Sequence, residues 1–185
     1  MKVYLAGPEV FLKNAVEMGK TKKKLCEILG FEGVFPLDNE LELNAASPQE
    51  NGINIAKANE ELIKDCDFVI ANMTPFRSAS CDVGTAYEMG FAKGLGKPVF
   101  AYTNDRALFL ERNLKQLTKT SKVSEQHYVD NLDMTIENFG LIDNLMLDNA
   151  VVSSISVAHA EPHEKYTDLV SFEKALKAAK EYFNC

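Results

Sequence analysis

The chain of 185 residues is long enough to bury a core of its own and fits one domain over 1–185. Apolar residues make up 46% and charged residues 25%, an ordinary globular composition, and 20 basic against 27 acidic side chains leave a formal charge of −7. That balance argues against a nucleic-acid polymer or an anionic membrane surface as the main partner. In chain order, "KVYLAG" is a β-rich run ended by Gly-Pro, a first strand and a turn. Residues 12–29 carry Leu12, Ala15, Val16, Leu25, Ile28 and Leu29 at helical intervals, and Gly30 suits the helix end. The "KTKKK" cluster at Lys20–Lys24 on this helix reads as a solvated face.

"GVFPLDN" is a second strand broken by Pro36, and residues 51–64 form a helix with Ile55, Ala58, Leu62 and Ile63 towards the core. "DFVIANM" has the uninterrupted apolar pattern of a central parallel strand. A helix capped by Asp82 follows, then "KPVFAY" as the fourth strand, a long polar stretch over 103–140, "AVVSSISV" as the fifth strand, and a final amphipathic helix over 172–183. The polar stretch exceeds what a connector needs and reads as a lid or a partner-contacting segment; "HAEPHEKYTD" at 159–168 reads as a surface loop. Steady alternation of strand and helix predicts an α/β fold with a parallel sheet covered on both faces, binding its ligand at the carboxyl ends of the strands. The loops "AGPEVF", "PLDNE" and "NMTPFRSASCD" lie there.

His127, His159 and His163 have no metal-ligand spacing, so a metal site is not expected. Cys26, Cys66, Cys81 and Cys185 form no CxxC pair; Cys26 and Cys66 read as reduced core residues. The opening "MKVYLAGPEVF" is too short for a signal sequence and no stretch approaches a membrane span, which makes the cytoplasm the default location. The "NMT" acceptor pattern at Asn72 is accidental in that compartment.

One stretch carries chemistry. In "SASCDVGTAYEMGFAKGLGKPVF", Glu88 stands among Gly, Ala and Thr. Asp82 is placed to cap the helix, and Gly84 and Thr85 lie one turn before Glu88 on its own face. The stripe of Val83, Ala86, Tyr87 and Gly90 is expected to pack on the sheet, leaving Gly84 as open space above the Glu88 carboxylate. Such a carboxylate serves as a nucleophile or base for a bulky substrate. Alternatively, the small residues only allow close helix packing, with Glu88 favouring the helix dipole.

"VYLAGPEVF", "FPLDNE", "DCDFVIANMTPFRSASCDVGTAYEMGFAKGLGKPV" and "NFGLIDNLML" occur in that order. Together they resemble the nucleoside 2-deoxyribosyltransferase family over most of residues 2–150. The resemblance implies a flavodoxin-like, doubly wound five-stranded parallel sheet. It implies an enzyme that moves 2-deoxyribose between nucleobases through a covalent sugar–enzyme ester, with 2′-deoxyribonucleosides and free bases as partners, chemistry that needs no cofactor. By position, the family nucleophile falls on Glu88, the supporting aspartate on Asp82, and the tyrosine that holds the nucleophile on Tyr4. The sugar-binding asparagine lent by a neighbouring subunit falls on Asn144, which implies a homo-oligomer, a dimer or a trimer of dimers. Each of the last three has a plainer reading: a helix cap, a core strand residue and a turn residue. Where some members carry an aspartate towards the leaving base, this chain has Asn59, an amide that can bind a base but donates no acidic proton. Glu40 and Phe11 are base-pocket candidates, Phe11 either stacking on a base or sitting in the core. Gly7 either admits a ligand to the backbone or is a simple turn glycine. Two other readings stay open: an N-glycoside hydrolase of deoxynucleosides or their 5′-monophosphates, with Arg77 and Ser78 as the local phosphate candidates, and a non-catalytic nucleotide-binding module.

Overall fold

The computed structural model describes residues 1–39 and 47–184. The first half alternates as expected: β1 (Lys2–Ala6), α1 (Ala15–Ile28), β2 (Glu32–Val34), α2 (Pro48–Asp65), β3 (Phe68–Asn72), α3 (Val83–Gly94) and β4 (Val99–Thr103). After it come α4 (Phe109–Gln116), three short strands β5 (Thr120–Lys122), β6 (Tyr128–Asp130) and β7 (Thr135–Ile136), then α5 (Leu145–Asp148), β8 (Ser156–Val157) and α6 (Val170–Phe183). Five strands form one parallel sheet in the order β2-β1-β3-β4-β8. The order reverses direction at β1, so the carboxyl ends of β1 and β3 flank a topological switch point.

Strand periodicity divides the core. Val3 and Leu5 join Phe68, Ile70 and Phe100 under α1 and α6, whereas Tyr4 and Ala6 join Val69, Ala71, Met73 and Met89 under α2 and α3. Tyr4 is thereby committed to the face that carries α3. Both faces of β3 and β4 are fully buried, as a central parallel strand requires.

The structure corrects three expectations. Lys22, in the middle of the basic run, is completely buried, its Nζ 2.8 Å from Glu9 Oε1 and 3.2 Å from the Tyr102 hydroxyl. It shares a helix face with Met18, Gly19 and Cys26, and only its neighbours in sequence are solvated. The sheet-facing stripe of α3 is Thr85, Met89 and Ala92; Val83 and Tyr87 are 84% and 57% exposed, and Gly90 is exposed with them. Every face of α3 is small or apolar enough to pack, so the strand ends below it decide its phase. Ile55 is exposed on α2, with Ile63 carrying the burial. Beyond those three, the polar stretch after β4 folds into the helix α4 and a small antiparallel sheet, β5-β6-β7, elements that a lid or a partner-contacting segment can equally have.

The fifth strand is confined to Ser156–Val157, the end of the predicted run. The 159–168 loop is tied down: Asn104 Nδ2 donates to the carbonyls of Lys165 and Asp168, and the Tyr166 hydroxyl donates to the Pro75 carbonyl at 2.6 Å. Cys26, Cys66 and Cys81 are buried free thiols, and no helix among the described residues is long and apolar enough to cross a membrane.

Candidate active site

Three strand-end loops converge on a cavity of about 300 Å³ lined by Gly7, Val10, Phe11, Pro36, Leu37, Ile55, Asn59, Asp82, Gly84 and Glu88. That volume is at the lower end for small-molecule sites, roughly 300–1,000 Å³. A larger hollow of about 520 Å³ beside Leu145 and Val151 has Asp148 as its charged wall, and that carboxylate already accepts the Ile142 and Asp143 N–H groups.

Asp82 caps α3, its Oδ2 accepting from the Thr85 N–H at 3.0 Å and the Thr85 hydroxyl at 3.3 Å. The cap starts the helix at Val83 and brings Glu88 round to the end of β1. There the buried Tyr4 hydroxyl donates to Glu88 Oε1 at 2.6 Å, a bond to a charged acceptor that fixes the carboxylate against the cavity wall. Burial raises Glu88 from 4.5 to about 7; the Tyr4 hydrogen bond opposes that rise, and the charges of Asp82 and Glu9 add to it. Burial, then the charge of Glu88, pushes Tyr4 well above its ordinary 10, so the phenol keeps its proton.

Gly84 lies open on this wall, and a Cβ there would come 2.9 Å from Asp82 Oδ2. Gly7 is crowded instead of open: a Cβ would come 2.0 Å from Glu9 Oε2 and 2.8 Å from the Asn72 Cβ. Glycine is needed there because the buried Glu9 carboxylate lies against the backbone. Phe11 is 56% exposed and stacks on Phe76 at 5.2 Å, which makes it an accessible aromatic face instead of a core residue. The Arg77 guanidinium lies 4.6 Å from the Phe76 ring centre and 5.2 Å from that of Phe11, on a residue with φ of 56°. Asn59 Oδ1 accepts from Asn39 Nδ2 at 3.2 Å, joining α2 to the loop after β2.

The structure therefore gathers Tyr4, Gly7, Phe11, Asn59, Asp82, Gly84 and Glu88. Glu40 lies outside the described residues. Asn144 does not line this cavity; it caps α5, accepting from the Met146 N–H and donating to Glu137. Sequence reasoning missed Val10, Pro36 and Leu37 in the walls, although all three lie in loops it had assigned to the ligand edge. It also missed Glu9, in the quoted "GPEVF", because a glutamate in a loop carries no signal of burial.

A carboxylate held by a phenol faces a cavity of small-molecule size at the switch point of a doubly wound α/β sheet. The chain belongs to the nucleoside 2-deoxyribosyltransferase family, whose sequence profile matches residues 3–146. A 2-deoxyribosyltransferase from Leishmania mexicana has a similar structure, with 28% identity, TM-score 0.63, and coverage of 91% of this chain and 96% of that one. A conserved protein from Enterococcus faecalis shares the fold at 19% identity and TM-score 0.54, covering 97% of this chain and 98% of its own. An uncharacterised protein of Schizosaccharomyces pombe is 37% identical over 112 residues, which are 60% of this chain and 53% of that protein's length.

Proposed function

We propose that this chain is a nucleoside 2-deoxyribosyltransferase that exchanges the base of 2′-deoxyribonucleosides with retention of configuration. The observation that carries the proposal is the hydrogen bond of 2.6 Å by which the buried Tyr4 hydroxyl holds Glu88, which lines the cavity together with Asp82, Gly84, Asn59 and Phe11. A Glu88 carboxylate oxygen attacks the anomeric carbon from the face opposite the base. The glycosidic C–N bond breaks, and its electron pair leaves with the base, which takes a proton from water or another acid because Asn59 has none to give. A ring nitrogen of the incoming base, giving up its proton to water, then attacks the same carbon from the face the first base left. The ester C–O bond breaks and its electrons return to Glu88. Two inversions preserve the β configuration.

Tyr4 holds the nucleophile in line, and Asp82 serves a sugar hydroxyl with the oxygen its cap leaves over. Gly84 gives the sugar room, Gly7 keeps the loop above it close, and Phe11 stacks on the base, for which Glu40 is the further candidate from the sequence. Asn144 is lent to the site of a neighbouring copy in a homo-oligomer, and no metal or cofactor takes part. The likeness to a named 2-deoxyribosyltransferase in Leishmania mexicana supports the reading.

Incubating the protein with 2′-deoxyinosine, with and without adenine, tests it. Deoxyadenosine should form with adenine present, and Glu88→Ala should abolish it. Hypoxanthine released equally fast without adenine would refute transfer and make the chain a hydrolase. No turnover across several deoxynucleosides would leave a binding module. One observation favours the hydrolase reading for 5′-monophosphates: the Arg77 guanidinium, held by Phe11 and Phe76 beside the cavity. Faster base release from the 5′-monophosphate than from the nucleoside, lost in Arg77→Ala, would establish it.

A further inference from the structure

A second cavity of about 390 Å³ lies between α4, the end of β4 and the 159–168 loop, and shares no wall with the Glu88 cavity. Three of its walls are cations: Arg112 and Lys115 on α4, and Lys165. The Arg112 side chain is only 7% exposed, and its Nη2 donates to the Ile142 carbonyl and lies 3.7 Å from Asp143 Oδ2. Its Nε and Nη1 are buried and find no acceptor among the described residues. Buried donors of this kind are almost always satisfied in folded proteins, by the chain or by something bound to it.

Two acids also line the wall, each turned towards the backbone by one oxygen, so the three cations outnumber them. Asp105 Oδ1 accepts from the Ala107 N–H at 3.0 Å, and Glu111 Oε2 accepts from the Leu108 N–H at 2.9 Å at the start of α4. Burial depresses the Lys165 ammonium; Asp105 opposes that, while Arg112 and Lys115 add to it. The basic groups are therefore near enough to repel one another, an arrangement that a bound anion would relieve.

We propose that this cavity binds a phosphate monoester or inorganic phosphate through Arg112, Lys115 and Lys165. A tetrahedral dianion offers acceptors to the unused guanidinium donors and to both ammonium groups at once. The volume leaves room for an organic group beyond the phosphate, so a nucleoside monophosphate and free phosphate share the required chemistry. Occupancy would reach the Glu88 cavity through Asp143, whose carboxylate lies beside Arg112 and also accepts from the Ser80 hydroxyl and the Cys81 N–H, next to Asp82.

The test is titration calorimetry of the full chain with inorganic phosphate and with deoxyadenosine monophosphate. Wild type, Lys115→Ala/Lys165→Ala and Arg77→Ala are compared, the last reporting any binding beside the Glu88 cavity. Saturable binding of inorganic phosphate should weaken about tenfold or more in the lysine pair and stay unchanged in Arg77→Ala. Tighter binding of the monophosphate, with the same lysine dependence, would identify a nucleoside phosphate as the source; equal affinities would identify phosphate itself. Should the double variant misfold by circular dichroism, the exposed Lys115→Gln alone should still weaken binding. Absence of saturable phosphate binding, its indifference to the lysine substitutions, or its loss in Arg77→Ala would each overturn the proposal.

Discussion

Tyr4→Phe isolates what the phenol does for Glu88. The ring is fully buried on the α2–α3 face, and phenylalanine fills the same space, so the change removes one hydroxyl and little packing. That hydroxyl donates to Glu88 Oε1 at 2.6 Å and favours the carboxylate over the acid, against a burial effect that has already raised the group to about 7. A hydrogen bond to a charged group is worth about 1.5–3 kcal/mol, which at 1.36 kcal/mol per pKa unit moves Glu88 up by about one to two units. A nucleophile must be ionised to attack, so the rate at pH 7 should fall about 5- to 50-fold through ionisation alone and recover in alkali. The assay is the pH profile of kcat/KM for base exchange, with the acid limb near pH 7 in wild type and displaced upward in Tyr4→Phe. An equal loss at every pH, with the limb unmoved, would refute the reasoning and leave Tyr4 a purely geometric role.

Glu88→Gln should stabilise the protein at high pH. A carboxyl raised from 4.5 to about 7 on folding binds more protons folded than unfolded between those values, so stability falls as pH rises through that window. The substitution should therefore raise Tm at pH 8 but not at pH 4, by at most about 3 kcal/mol in free energy, and an equal effect at both would contradict the burial argument. Lys22→Met leaves the buried Glu9 carboxylate unpaired and should cost about 3–5 kcal/mol in denaturant melts, with Glu9→Gln added to it recovering part of the loss; a cost under about 1 kcal/mol would mean the pair is solvated. Phe11→Ala, at an exposed ring, should raise KM about tenfold or more while leaving Tm within a degree or two, and an unchanged KM would remove Phe11 from base binding.

The parts legible in the sequence are those that local chemistry dictates. The apolar run of β3 reads as a strand buried on both faces because each of its residues meets a neighbouring layer. Asp82 reads as a cap because an aspartate ahead of a helix answers a need of the next few backbone N–H groups, and Glu88 stands out because its neighbours are small. Family resemblance added Tyr4, Asn59 and Asn144, residue types with many uses and no local signature.

Tertiary structure decided the rest. Lys22 repeats the side chains around it, and only the return of Glu9 and Tyr102 from two other parts of the chain makes it the buried one. The phase of α3 was open to either stripe until the sheet beneath selected Thr85, Met89 and Ala92. The strands β5 to β7 are two or three residues long, too short for a period, and are defined by their pairing across turns. The cavity itself unites Gly7, Leu37, Asn59 and Glu88 from four separate segments, each ordinary alone. Side-chain periodicity and capping act over a few residues, whereas burial and pairing depend on what the fold brings to the same place.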